Sequence, residues 1–490
     1  MKKLVMSLLS GLAGLALAAQ TPAEDTVKTS PVLLSLQDAL KIAMSENISV
    51  KVADMEISRT KYARKGTYAA LYPQIDASAS FQRTIKKQVM YMDFDLGGAS
   101  QGSGTGSGTG TGTGTDTASS SSSASASDGK PSLGDGIEVG RSNTWSAGIS
   151  ANMSLVNAQL WRQLKISGED VELAVEKARA SRLEMINQVK QAYFACLLSK
   201  EALKVYQMAY DNALVNLELT QKKYNAQKAS ELDLTRAKTT LANAVPNLCE
   251  AESSVFLSLW QLKAVMGIDL DTEIEVSECL EDYAADMESC LEGDYSLADN
   301  TTMRQLSIQA AQLADMVKLQ KAAYAPTLGL GFAYSYSAMN NDFVFKEYKW
   351  TPYSYVGLNL SIPIFSGGKR RSAVNQARVQ ASELDLQRIN TERQLQISIR
   401  QYLNQMETGL KSHDSAVSAL QTAQKAYDIA SKSYEVGRST LTDLNDAQYA
   451  LIQARMAVNQ SVYNYVVAKA NLENTLGADL TGEDGEYQLK

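Results

Sequence analysis

The chain has 490 residues and a formal net charge of -7, more negative still without Lys2 and Lys3. No basic run is longer than Lys369-Arg370-Arg371, which excludes a nucleic-acid partner. One His and four Cys without C-x-x-C spacing exclude a metal cluster, and eight Pro in this length suit long unbroken helices.

The first segment, 1–18, reads as a secretory signal peptide. Lys2 and Lys3 precede the apolar run Leu4–Leu17, and Ala16-Leu17-Ala18 supplies small residues for cleavage. No other stretch holds the roughly 20 consecutive apolar residues of a spanning helix, so any later membrane crossing must be made by strands.

Residues 19–266 form the first of two repeats. A helical pattern over Leu36–Leu71 breaks near Glu46-Asn47 and stops at Pro73. The period then changes to two in a β-hairpin over 75–155. Ile75, Ala77, Ala79 and Phe81 alternate with Asp76, Ser78, Ser80 and Gln82; Trp145, Ala147, Ile149, Ala151, Met153 and Leu155 alternate with small polar residues. Between these strands, 97–130 is almost wholly Gly, Ser, Thr, Ala and Asp, too polar to order itself. It reads as a tolerated flexible loop or as an exposed binding loop. A long helical hairpin follows at 157–266. Its outgoing arm, Asn157–Tyr224, lacks Pro, and Pro246 is expected to kink the return arm.

The acidic stretch 267–296 reads as a linker. It carries Cys279, which could pair with Cys290 or stay a thiol. The second repeat, 297–476, follows the same plan. It contains a helix, a β-hairpin at 327–364 and a helical hairpin at 369–476, with a polar tail at 477–490. Asn47 returns as Asn300 and Pro73 as Pro326; Tyr224–Ala237 returns as Tyr434–Ala447. Each return arm holds a stripe with steps of four and three. These run Ala237, Leu241, Ala244, Leu248, Ala251, Val255, Ser258, Leu262, Val265 and Ala447, Leu451, Ala454, Val458, Ser461, Tyr465, Ala468, Leu472, Thr475. A 3.5-residue spacing held this long marks a coiled-coil seam.

The fold class is therefore an α+β membrane protein. Duplicated helical hairpins form an α-barrel, and four strands per chain contribute to a shared β-barrel. Four strands cannot close a barrel, and open edges are not tolerated in hydrocarbon, so the chain must associate by closed symmetry. Either eight strands from a dimer or twelve from a trimer would close. A coiled-coil surface protein or adhesin is the alternative, but it does not predict duplicated one-faced strands. No nucleophile elbow, phosphate loop or cofactor motif supports an enzyme.

Gly357–Arg371 (GLNLSIPIFSGGKRR), Tyr434-Glu435-Val436-Gly437, Thr442-Asp443-Leu444 and the closing Ala470–Gly477 resemble the TolC-like outer membrane efflux proteins, over essentially the whole mature chain. The resemblance implies a homotrimer with a 12-stranded barrel in outer membrane lipid and a periplasmic α-helical barrel. It also implies docking to a periplasmic membrane-fusion adaptor and an inner membrane pump, with no cofactor. The chain would be a passive conduit for small molecules or polypeptides, with the 97–130 loop outside the cell and the helix turns in the periplasm.

The family narrows its periplasmic mouth with carboxylates near the helix turn, and Asp443 and Asp446 match these positions. Asp233 and Tyr434 match positions that tie inner to outer helices. The family's basic gate partner sits two residues after the turn Gly, where Ser439 stands here; Arg438 follows Gly437 directly. A second reading makes Asp443 and Asp446 helix-start acids favoured by the macrodipole, and Tyr434 a packing residue in the seam.

Overall fold

The computed structural model describes residues 32–90, 137–285, 287 and 295–477. The expected signal peptide at 1–18, the expected loop at 97–130, Cys290 and residues 478–490 lie outside them. The chain divides into two compact units. One draws on residues 1–62, 168–314 and 378–490, the other on 63–167 and 315–377.

The helical unit holds β1 (Val32–Leu34), α1 (Leu36–Glu46) and the first part of α2 (Ile48–Ala69). The sheet elements come next in the chain: β2 (Gln74–Arg83), β3 (Gln88–Met90), β4 (Ile137–Val139) and β5 (Asn143–Val156). Then come α3 (Ala158–Asn225), α4 (Glu231–Met266), β6 (Ile274–Val276), α5 (Thr301–Ala322), β7 (Thr327–Asn340), β8 (Thr351–Ser361), α6 (Lys369–Glu435) and α7 (Leu441–Leu476). At about 1.5 Å per residue, the 68 residues of α3 and 67 of α6 give helices roughly 100 Å long. The return helix α4 continues through Pro246, where the sequence suggested a kink.

Both seams are covered stripes. None of the nine positions in either is exposed, while most residues between the seam positions of α4 are. Ala237, Ala251 and Leu262 are buried on α4, and Leu451, Ser461, Tyr465, Ala468 and Leu472 on α7. The core gathers Tyr193, Leu197, Leu262, Met266, Met406 and Tyr465. Its two deepest phenols find acceptors: Tyr465 donates to the Met287 carbonyl at 2.6 Å and Tyr193 to that of Leu34 at 3.3 Å. The acidic linker is part of this core. Ile274, Val276, Leu280 and Met287 are buried, and β6 pairs in parallel with β1.

The breaks at Asn47 and Asn300 are joints built twice. The Asn47 Oδ1 accepts from the Ser49 and Val50 amides that start α2, while its Nδ2 donates to the Val265 carbonyl ending α4. Asn300 accepts from the Met303 amide at the start of α5 and donates to the Thr475 carbonyl ending α7. One side chain thereby satisfies orphan groups of two helices. The helix ends close on Gly267 and Gly477, at φ 80° and 71°. A Cβ on Gly477 would lie 2.2 Å from the Asp299 carbonyl oxygen, so only glycine fits there.

In the sheet unit, β2, β5, β7 and β8 form an antiparallel sheet in the order β2-β5-β7-β8. The register keeps most of the large apolar residues on one face, with a shift between Ser154 and Val156 that brings Val156 instead of the expected Leu155 opposite Leu328; Met339, Tyr353 and Tyr355 fall on the other face. Phe81 pairs with Trp145, Ala77 with Ile149, Ile149 with Tyr334, Phe332 with Val356 and Leu330 with Leu358. On the other face Ser80 pairs with Ser146, Ser78 with Gly148, Gly148 with Ser335 and Gly329 with Asn359. A Cβ on Gly148 would come within 2.7 Å of the Ser335 Cβ, so the small residue there is a packing requirement. The small-residue face borders an open cleft of about 810 Å³ reached by Asn152, Ser154, Gly331, Tyr355, Gly357 and Asn359. β8 stops at Ser361, and Ile362 and Ile364 of the sequence alternation lie beyond it, where Pro363 offers no amide to a ladder. Both outer strands, β2 and β8, carry an edge that no other strand of the sheet covers.

Candidate functional site at the helix turns

The two turns share a backbone plan. After α6, the Gly437 amide donates to the Tyr434 carbonyl and the Arg438 amide to that of Ser433. After α3, Gln227 and Lys228 donate to Tyr224 and Lys223. Gly437 has φ 81° and Gln227 φ 59°, so the first repeat places a side chain where the second uses glycine. Ser230 and Thr440 then cap α4 and α7.

Asp233 and Asp443 occupy equivalent places, the third position of each return helix. The Asp443 Oδ2 accepts from the Thr440 amide at 2.9 Å and hydroxyl at 2.7 Å, while the Asp443 amide donates back to that hydroxyl at 3.2 Å. Asp233 makes the same capping box with Ser230. The Thr440 donors hold the Asp443 carboxyl below the ordinary 3.8. Because that value is depressed, the capping contribution is present above the unfolded-state pKa. It is lost only as the pH falls through the lowered value.

Asp446 does not share this arrangement. It is exposed and borders a cleft of about 400 Å³ between α3, α4 and α7, lined also by Tyr206, Thr240, Asn243, Asn247 and Gln448. The two carboxylates are neighbours on α7, but only Asp443 is folded back onto the helix start.

Tyr434 is both packed and bonded. It is 5% exposed in a small cluster with Ala237, Leu441 and Leu444. Thr220 donates its hydroxyl to the Asn216 carbonyl at 2.7 Å, leaving a lone pair for the Tyr434 hydroxyl, also at 2.7 Å. The Lys223 ammonium lies 3.8 Å from the Tyr434 ring centroid and donates to its carbonyl. Burial lowers the Lys223 pKa. One turn away, the buried Gln448 donates to the Ala209 carbonyl at 3.0 Å and accepts from Asn216 at 3.4 Å. Thr220, Lys223, Asn216 and Gln448 thus tie α3 to the second hairpin. Sequence reasoning did not single them out; the available signal was one Gln beside the seam position Ala447.

Two helical hairpins of this length, joined to four strands with a single apolar face, define an outer-membrane channel architecture. The outer membrane efflux protein family model matches residues 108–268 and 294–478, and the chain belongs to that family. It is 23% identical over 345 residues to the outer membrane protein TolC of Vibrio cholerae serotype O1, covering 69% of this chain and 77% of that one. Its fold is similar to the Campylobacter jejuni CmeC outer membrane channel, with a TM-score of 0.67 at 18% identity over 90% of this chain and 85% of the other. CusC gives 0.69 at 14% identity over 92% and 94%. The protein is an outer membrane channel of the efflux and type I secretion class, with a periplasmic helical extension. The adhesin alternative finds no support among these relatives.

Proposed function

We propose that three copies close a 12-stranded barrel and that the trimer is a passive conduit with no catalytic step. The register supports this reading: Ile75, Phe81, Trp145, Ile149, Leu330, Phe332, Val356 and Leu358 fall on one face, and β2 and β8 leave edges for neighbouring copies. Eight strands leave little lumen, whereas twelve leave a channel. The energy for export comes from an inner membrane pump reached through a periplasmic adaptor. The intact mass of the detergent-extracted complex is expected to correspond to three chains. A complex of two, or a lone chain that still behaves as an inserted barrel, would contradict the reading.

The turns are the periplasmic mouth in this proposal, with Asp443 and Asp446 as its carboxylates, and Asp233 and Tyr434 as the residues that hold helix starts and helix pairs in place. Threefold symmetry would bring six carboxylates to the mouth, an arrangement that binds cations. Replacing Asp446 by Asn should weaken the block of single-channel current by added divalent cation, while Asp443→Asn should act partly by loosening the α7 cap. Equal block in wild type and the double variant would assign both residues to helix starts alone.

A further inference from the structure

The small-residue face of the sheet carries two aromatic side chains among the described residues, Tyr353 and Tyr355 on β8. They follow one another on the same face, with ring centroids 5.9 Å apart and planes tilted by 48°. Their cross-strand rows are nearly bare. Tyr353 lies opposite Ser335, then Gly148, then Ser78; Tyr355 lies opposite Ala333, then Ser150, then Asp76. A Cβ on Gly357 would lie 3.9 Å from the Tyr355 Cδ2, so the glycine places no side chain against that ring. Both tyrosines are half or more exposed, at 58% and 50%, although aromatic rings are costly to leave in water. Asp76 is the only charged residue on this face of the four strands, so the face is weakly acidic.

We propose that Tyr353 and Tyr355 form an aromatic subsite within the barrel that retains aromatic and organic cations in transit. This rests on the trimeric channel reading, in which the small-residue face lines the lumen and three copies supply six rings. Two tilted rings over a floor of Gly, Ala and Ser offer π-faces without a competing side chain. A cationic aromatic gains from the rings by stacking and cation–π attraction, and from the acidic character of the face. An aliphatic amine gains only part of this. The subsite is shallow and open, which suits a conduit that must release what it holds.

The test is single-channel recording of the purified trimer with phenethylammonium or butylammonium added. Phenethylammonium should interrupt the current at lower concentration than butylammonium. In Tyr353→Ser/Tyr355→Ser its apparent affinity should fall roughly 5- to 10-fold, as expected for about 1–1.4 kcal/mol of aromatic contact. Butylammonium should be unchanged, and Tyr353→Phe/Tyr355→Phe should keep the aromatic preference. Both positions are exposed on the small-residue face, so the variants should assemble. Equal response to the two amines in wild type, or no loss in the serine variant, would overturn the proposal. Absence of channel steps before any amine is added would sink the channel reading itself, and the subsite with it.

Discussion

Val356→Arg is expected to abolish the folded, heat-modifiable trimer in outer membrane fractions. Val356 is 71% exposed, lies mid-strand opposite Phe332 and sits on the apolar face. An arginine facing lipid near the midplane costs about 2–4 kcal/mol, and the proposed closed symmetry would impose that cost once per chain. Asn359→Arg, on the opposite face of the same strand, should leave the trimer intact and reduce cation current instead. The comparison is read from heated and unheated gel mobility of membrane fractions. If the two variants assemble alike, the apolar face does not meet lipid.

Lys190→Met should be the most damaging single change in the helical unit. The Lys190 ammonium and Glu473 carboxylate meet at 2.6 Å with 7% and 10% of their side chains exposed. Removing one partner strands a buried charge, which costs about 3–5 kcal/mol, whereas replacing both by apolar residues is often neutral or stabilising. Urea unfolding followed by helical circular dichroism should show a large loss for Lys190→Met. Most of it should return in Lys190→Met/Glu473→Leu. A single variant as stable as wild type would mean that water or another donor reaches Glu473.

The parts of the fold that bury one face over a long run were legible in the sequence. The heptad stripes became covered seams because a 3.5-residue spacing leaves a helix only one way to turn its small and apolar residues inward. The strands were legible for the same reason at period two, and the antiparallel register keeps that phase across β2, β5, β7 and β8 except at the end of β5, where a shift between Ser154 and Val156 displaces Leu155. The duplication was visible in Asn47 and Asn300, but their chemistry was not. That one amide caps two helices depends on Val265 and Thr475 arriving from far along the chain. The linker misled by composition. Among the described residues its acids except Glu278 are exposed, and the three residues of β6 pair it with β1, too short a run to show a period.

At the turns, spacing alone could not separate Asp443 from Asp446. The capping box distinguishes them, and it needs only Thr440 three residues earlier, a signal that was present locally. Tyr434 and its counterpart Tyr224 look alike in sequence yet differ in burial, 5% against 37%. The difference comes from Thr220 and Lys223 of α3, which sequence order does not place beside Tyr434.

Planar-bilayer recording of the purified complex addresses the channel claim most directly. Insertion should give discrete, long-lived current steps from a single trimer, and Asn359→Arg should shift those steps toward anions while leaving assembly unchanged. A folded, inserted trimer that never conducts, or one whose ion preference ignores charge on the small-residue face, would contradict the account.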